Sequence, residues 1–183
     1  MEYPVLVQNF IDPDDAKNLM AYYDDLQAAG IMKKKSHTGY QDGRQMVWNP
    51  KLDGPLEPLR KYINLISNNN ITGTKLYAHD ISIQKYDVGP GMGIHSDSQG
   101  ACVPDCKISA LLYFNDDYQG GEITFPNIKK RVKPDALSLL TFPQQSDDWD
   151  HAVEEIVSGS RYVVITCFTD NIEKANWKYL DYN

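Results

Sequence analysis

The residues of this chain best suited to chemistry begin with His95 and Asp97, which follow a glycine-rich stretch. In an extended segment, residues two apart point to the same face, so this pair directs an imidazole and a carboxylate towards one point. A second histidine, His151, follows later. Two histidines and one carboxylate form a facial triad, which suits a non-haem Fe(II) ion and leaves coordination positions open. The pattern therefore predicts a metal site at His95, Asp97 and His151.

A single arginine, Arg161, stands ten residues after His151 in a segment that is otherwise mostly apolar. In the strand predicted there, Arg161 shares a face with Val163. A buried guanidinium is costly unless an anion pairs with it. A hydroxyl from Tyr113, on another predicted strand, would complete a carboxylate clamp beside it. These residues predict that Arg161 holds the distal carboxylate of an acid that chelates the metal.

Composition indicates a folded globular protein. The chain has 183 residues, of which 42% are hydrophobic, and is most simply one domain. Its net charge of −7 disfavours a protein that binds the nucleic-acid backbone through basic surface. The sequence shows no leader pattern and no run of about 18 apolar residues, so we expect a cytoplasmic protein without a membrane span. Its three cysteines, an odd number, suit a reducing compartment.

Changes in the period of the apolar residues predict the elements that position these side chains. Asp12-Pro13 is typical of a helix start, with the helix continuing to about residue 29, and a second helix is expected over about 55–67. From about residue 75 the period changes to two, which indicates strands. The expected strands are 76–86, 108–115, 121–125, 131–134, 136–142, 151–157 and 161–169, after a short one near 5–11. This order indicates an α+β fold with a jelly-roll or barrel-like body.

Together these residues resemble the Fe(II)/2-oxoglutarate-dependent dioxygenases, specifically the prolyl 4-hydroxylase-like branch. The matching positions, over about residues 76–170, are Tyr86 before the glycine-rich loop, His95-x-Asp97, Leu112-Tyr113-Phe114-Asn115, Gly120-Gly121-Glu122, Phe125-Pro126, His151 and Arg161. Each piece alone is common, but the ordered set is specific. One departure is that animal collagen-type enzymes carry lysine where Arg161 stands, which affects the subgroup and leaves the chemistry intact.

The resemblance implies a double-stranded β-helix core over about residues 75–170, supported by N-terminal helices over about 1–72. We expect residues 1–183 to form one such domain. In members of this family the two histidines and the aspartate bind Fe(II). The resemblance therefore implies that His95, Asp97 and His151 are iron ligands here.

The resemblance also implies the cofactors and the reaction. Arg161 and Tyr113 would bind the C5 carboxylate of 2-oxoglutarate, and Tyr86 would lie near its C1 end. O2 would be the second co-substrate, with ascorbate as a further cofactor. The implied activity is hydroxylation of a C–H bond of a prolyl residue in a peptide or protein, with succinate and CO2 as co-products.

Residues 33–48 are mostly polar and are predicted to form a strand and a loop. Their place in the chain is similar to that of the mobile loop that covers the substrate in this family. Arg44 and Trp48 are therefore candidates for substrate contact. Alternatively, Lys33-Lys34-Lys35 form only a solvent-exposed charged surface.

Several alternatives remain open at the level of the sequence. An oxygenase acting on a free amino acid or another small molecule would use the same residues. A cupin-like module that binds a metal or sugar without turnover is a different class, but it has no need of a clamp at Arg161 and Tyr113.

Nucleic-acid dealkylases share the iron triad but have a second arginine six residues after the first, a position at which this chain has Cys167. Cys102 and Cys106 could suggest zinc, although no second pair accompanies them. The sequence does not indicate an oligomeric state.

Overall fold

The computed structural model describes residues 3–34, 44–68, 71–98 and 105–177. Its two α-helices are α1 (Pro13–Ala28) and α2 (Leu59–Ser67). The strands are β1 (Val5–Val7), β2 (Lys33–Lys34), β3 (Arg44–Trp48), β4 (Tyr77–Tyr86), β5 (Met92–His95), β6 (Ile108–Tyr113), β7 (Gln119–Gly120), β8 (Ile123–Phe125), β9 (Lys130–Val132), β10 (Ser138–Pro143), β11 (His151–Val153), β12 (Ile156–Ser158) and β13 (Arg161–Thr169). Short 3-10 turns occupy Gly54–Leu56, Pro126–Ile128, Asp147–Trp149 and Ile172–Lys174.

Most of the strands form two antiparallel sheets. The larger sheet has the order β1-β10-β6-β13-β4-β3-β2, and the smaller one has the order β5-β11-β8-β9. Strands β7 and β12 pair separately as a two-stranded ribbon. Neighbours that are distant in the chain, such as β10 with β6 and β13 with β4, give the crossing connections of a double-stranded β-helix. The predicted fold class, α+β with a double-stranded β-helix core, is confirmed, with sheets that do not close into a barrel.

Two apolar clusters lie on the two faces of the larger sheet, because successive side chains of a strand point to opposite faces. Along β6, Leu111 and Tyr113 belong to the cluster between the sheets, whereas Leu112 and Phe114, the residue that follows the strand, belong to the cluster under the helices. The inter-sheet cluster also includes Ile123, Phe125, Leu140, Phe142, Val153 and Val163. The helical cluster includes Leu19, Tyr23, Ile63, Ile66, Val164 and Phe168. The helices thus support the sheet from behind and leave its other face for the site.

The first helix begins as predicted, and the second begins later than predicted. The Asp12 side chain accepts hydrogen bonds from the backbone N–H groups of Asp14 at 2.9 Å and Asp15 at 3.3 Å, which caps α1. The expected helix over 55–67 is divided into a 3-10 turn and α2, which starts after Pro58. Proline has no N–H to donate to the preceding turn and its ring clashes with that turn, so an α-helix cannot run through Pro58.

The glycine-rich segment before His95 was expected to be a loop, and this prediction was wrong for residues 92–95. They form β5, which pairs with β11. Glycine is required here for close approach: a Cβ on Gly91 would lie 2.0 Å from the carbonyl oxygen of Val153. The strand expected over 151–157 is divided into β11 and β12, and the strand expected over 121–125 begins only at Ile123. Gly120 and Gly121 both adopt positive φ, 77° and 69°, which turns the chain between β7 and β8.

The cysteines are arranged differently from the expectation of free thiols in a reducing compartment. Cys106 and Cys167 form a disulfide that joins the segment before β6 to β13, with their Cα atoms 5.5 Å apart. The zinc site considered for Cys102 and Cys106 is not supported, because the Cys106 sulfur is bonded to Cys167, while Cys102 lies outside the described residues. Among the described residues, no helix is long and apolar enough to cross a membrane.

Candidate active site

The three predicted metal ligands converge where β5 meets β11. His95 and His151 are direct cross-strand partners, and Asp97 follows β5 by two residues. The ligand atoms of the three residues all lie within 4.8 Å of one another. Nε2 of His95 is 3.4 Å from Oδ1 of Asp97, and Nε2 of His151 is 3.8 Å from Oδ2. This set of two imidazoles and one carboxylate can hold one metal ion and fits Fe(II) in donor type.

Backbone carbonyl groups orient both imidazole rings. Nδ1 of His95 donates to the carbonyl oxygen of Gly93 at 2.9 Å, and Nδ1 of His151 donates to that of Trp149 at 3.1 Å. A proton fixed on Nδ1 leaves the lone pair on Nε2, the nitrogen that faces Asp97. The tautomers are therefore set for metal binding through Nε2.

Burial and mutual charge shift the pKa values of all three ligands. Burial lowers the pKa of His151 to about 4, so this imidazole is neutral at physiological pH. Burial also opposes the charged form of His95, but its hydrogen bond and charge interaction with Asp97 outweigh this and raise its pKa above 6.5. Burial would raise the pKa of Asp97, whereas the neighbouring imidazoles and the Ser109 hydroxyl hold it well below its usual range. At neutral pH the site therefore presents a carboxylate.

Two residues that hold Asp97 were not identified from the sequence as part of the site. The Ser109 hydroxyl donates to Oδ2 of Asp97 at 2.5 Å. The Gln144 side chain accepts from the backbone N–H of Asp97 at 2.9 Å and donates to Oδ2 at 3.4 Å. The even spacing of Ser109 from Tyr113 on β6 is a sequence signal that could have placed Ser109 on the site's face. No signal in the sequence distinguishes Gln144.

The predicted clamp residues are assembled on the larger sheet. Arg161 is fully buried, and its Nη2 donates to the Tyr113 hydroxyl at 2.9 Å. Its guanidinium carbon lies 4.9 Å from the ring centroids of both Tyr113 and Tyr86. Among the described residues, Nε and Nη1 of Arg161 have no hydrogen-bond partner. A buried cation with donors left over fits the carboxylate of a bound acid.

Arg44 and Trp48 lie on strand β3 of the larger sheet, next to β4. Both line the cavity that contains the three metal ligands. The Arg44 side chain is only 6% exposed and is the cross-strand partner of Tyr86, whereas Trp48 is 45% exposed. The strand part of the prediction for 33–48 is therefore confirmed for 44–48. The proposed covering loop falls on residues 35–43, which lie outside the described residues.

Comparison with known proteins points to one superfamily. The sequence profile of the 2OG-Fe(II) oxygenase superfamily matches residues 81–169, a range that contains the three metal ligands and Arg161. Human prolyl 3-hydroxylase 2 is 33% identical over an alignment of 66 residues, and the match covers 33% of this chain and 9% of that protein. The chain thus spans only a small part of the length of this relative.

Solved structures share the fold over most of the chain. A prolyl-4-hydroxylase from Pseudomonas putida is similar at a TM-score of 0.72 and 18% identity, covering 91% of this chain and 92% of its own. A prolyl hydroxylase from Trichoplax adhaerens, in complex with a hypoxia inducible factor peptide fragment, gives a TM-score of 0.71 at 17% identity. The match covers 93% of this chain and 84% of that one. At such identity the likeness concerns the fold.

We expect metal binding to depend on pH through His95. A metal can take Nε2 only after the proton leaves, and the pKa of this group is raised above 6.5. Below that pKa, the apparent affinity for Mn(II) should fall by about tenfold per pH unit, and above it the affinity should be level. Calorimetric titration of the metal-free protein between about pH 5.5 and pH 8.5 would measure this. An affinity that is constant across that window would contradict the role of His95 as a ligand.

Proposed function

Because the chain belongs to the 2OG-Fe(II) oxygenase superfamily, we propose that it is an Fe(II)- and 2-oxoglutarate-dependent dioxygenase that hydroxylates a prolyl residue in a peptide or protein. The observation that carries the proposal is the position of Tyr86, which lines the cavity that contains the three candidate metal ligands and whose ring centroid lies 4.9 Å from the guanidinium carbon of the buried Arg161. A chelating acid with a second carboxylate fits this combination.

The roles of the residues follow from their contacts. His95, Asp97 and His151 would hold Fe(II) on one face and leave the opposite face open. When bound, the iron and 2-oxoglutarate supply the oxidising chemistry with O2 and release succinate and CO2, and ascorbate would keep the metal reduced. The protein contributes placement and the exclusion of water.

Arg161, Tyr113 and Tyr86 would bind 2-oxoglutarate. The guanidinium would pair with the C5 carboxylate, to which the Tyr113 hydroxyl would donate its own hydrogen while it accepts from Arg161. Tyr86 would lie near the C1 end, where its hydroxyl now donates to Gln84 at 3.3 Å. The tyrosine rings flank the guanidinium and limit its contact with water, which strengthens its attraction for an anion. A cupin-like binding module without turnover would gain nothing from this clamp.

A second candidate is an oxygenase acting on a free amino acid or other small acid. The observation that favours it is Arg44, a buried cation that lines the same cavity and affects the charge balance of His95. Its guanidinium would pair with a carboxylate of the substrate. In the peptide reading, Arg44 and Trp48 would instead contact residues that flank the proline.

The reaction can be tested with anaerobically iron-loaded protein given 2-oxoglutarate, ascorbate, air and a panel of proline-containing peptides. We expect succinate formation that rises with at least one peptide, and a mass gain of one oxygen on its proline. His95→Ala is the control and should lose turnover. Succinate stimulated by free amino acids and by no peptide would favour the second candidate. The absence of succinate with every addition would contradict the oxygenase.

The clamp can be tested through the affinity for 2-oxoglutarate. Arg161→Gln should weaken binding of 2-oxoglutarate to the Mn(II)-loaded protein by about 100-fold or more, because one charge-assisted pair and its bonds are lost. Arg161→Lys keeps the charge and should lose less. Mn(II) affinity should change little in both variants. Equal 2-oxoglutarate affinity in the wild type and Arg161→Gln would place the acid elsewhere.

Substrate contact at β3 can be tested with whichever substrate the panel identifies. Trp48→Ala and Arg44→Gln should each raise the KM for that substrate by about tenfold, while the KM for 2-oxoglutarate stays within about twofold. Leu65 is an exposed apolar residue on α2, so Leu65→Ala serves as a control for the loss of an exposed apolar side chain. A raised KM for 2-oxoglutarate alone would place Arg44 at the co-substrate.

Two wider expectations also remain proposals. We propose that residues 1–183 unfold as one cooperative domain, which two separate thermal transitions would contradict. We also propose a cytoplasmic location. The odd number of cysteines supports it, whereas the bond between Cys106 and Cys167 is an observation against it. Thiol trapping in intact cells would distinguish a reduced pair from an oxidised one.

A further inference from the structure

Asp97 presents both of its carboxylate oxygens to the metal position. Oδ1 is 3.4 Å from Nε2 of His95, and Oδ2 is 3.8 Å from Nε2 of His151. A metal between the two imidazoles would therefore have both oxygens within reach. If both oxygens bound the metal, the carboxylate would occupy two coordination positions instead of one. One position fewer would then remain for a chelating acid on the open face of the triad.

We propose that Ser109 and Gln144 are positioning residues that reserve Oδ2 for hydrogen bonds and so hold Asp97 as a one-oxygen ligand through Oδ1. This inference rests on the proposed function, because its consequence is an open place for 2-oxoglutarate. It concerns residues that touch neither the reacting atoms nor the clamp.

Ser109 is placed for this task by the sheet. It is fully buried on β6, on the same face as Leu111 and Tyr113, and its hydroxyl donates to Oδ2 at 2.5 Å. Its cross-strand partner on β13 is Cys167, whose disulfide with Cys106 ties this end of the two strands together. A hydrogen bond to a carboxylate is charge-assisted and stronger than one between neutral groups. Because Ser109 lies within strand β6, its hydroxyl holds Oδ2 of Asp97 in one direction.

Gln144 holds the same ligand from the other side. Gln144 is 5% exposed, and its side-chain amide donates to Oδ2 of Asp97 at 3.4 Å and accepts from the Asp97 backbone N–H at 2.9 Å. The side-chain oxygen Oε1 of Gln144 also accepts from the Ser96 hydroxyl at 3.1 Å. Its own backbone is fixed, since its N–H donates to the carbonyl of Lys107 at 2.9 Å and its carbonyl accepts from the Ser98 hydroxyl at 2.8 Å. One amide thus fixes both the backbone and the carboxylate of the ligand.

These contacts give different expectations for removing each group. Without the hydroxyl of Ser109, Oδ2 loses its shortest hydrogen bond and is free to bind the metal. Without the amide of Gln144, the loop that carries Asp97 loses its anchor, and the ligand itself becomes less well placed. Contacts of this kind typically change metal affinity or activity by about 10–100-fold.

The test compares Ser109→Ala with Ser109→Thr, which keeps a hydroxyl, in the full chain loaded with Mn(II). Water proton relaxation counts the water molecules exchanging at the bound metal, and calorimetry measures 2-oxoglutarate binding. For Ser109→Ala we expect Mn(II) affinity at or above the wild-type value, lower water relaxation, and 2-oxoglutarate binding weakened by about tenfold or more. Ser109→Thr should stay within about threefold of the wild type in all three.

A second variant keeps the proposal falsifiable should Ser109→Ala unfold, which circular dichroism would report. Gln144→Met preserves length and removes the amide, and should weaken Mn(II) binding by about tenfold or more. Unchanged relaxation and unchanged 2-oxoglutarate affinity in Ser109→Ala, or equal losses in Ser109→Thr, would overturn the role of Ser109. Wild-type Mn(II) affinity in Gln144→Met would overturn that of Gln144.

Failure of the proposed function has a different signature. Wild-type Mn(II)-loaded protein that does not bind 2-oxoglutarate would contradict the proposed function. The relaxation comparison between wild type and Ser109→Ala needs the metal alone, so it still decides whether Asp97 is held as a one-oxygen ligand.

Discussion

The antiparallel pairing of β5 with β11 is the contact on which the site depends. It places His95 directly opposite His151, although 56 residues separate them in the chain. The pairing itself depends on Gly91, because any Cβ there would overlap the backbone of β11. A short strand of four residues has little stability alone, so its place is set by the inter-sheet cluster behind it and by the hydrogen bonds that follow it at Asp97.

The site also combines a half-buried carboxylate and a buried guanidinium, each of which would be costly if it were isolated. The carboxylate of Asp97 is offset by the imidazoles and by the Ser109 hydroxyl, so it stays ionised. Arg161 is flanked by two tyrosine rings and hydrogen-bonded to one of them, and its Nε and Nη1 have no hydrogen-bond partner among the described residues. An anion that bridges from a metal to this arginine would satisfy both halves. A dicarboxylate therefore matches the charges of the site, with one carboxylate at the metal and the other at Arg161.

Much of this could be predicted from the sequence, and the exceptions have physical causes. The candidate triad was predicted from residue types and their spacing. The candidate clamp was predicted because side-chain alternation on strands places Tyr113 and Arg161 on defined faces, and in the structure these two side chains are hydrogen-bonded to each other. Strand β5 was missed because glycine has low strand propensity, while here its missing side chain permits the close pairing. Gln144 was missed because its contacts with Asp97 span 47 residues, and no local pattern encodes them. The disulfide was likewise not indicated by an odd number of cysteines.

The most direct test is a crystal structure of the protein grown without oxygen in the presence of Mn(II) and 2-oxoglutarate. We expect one metal ion bound by Nε2 of His95, Nε2 of His151 and a single oxygen of Asp97. The 2-oxoglutarate should chelate that ion and place its far carboxylate against Arg161. A metal bound away from the triad, or an acid whose far carboxylate does not reach Arg161, would contradict the assignment of this chain's site.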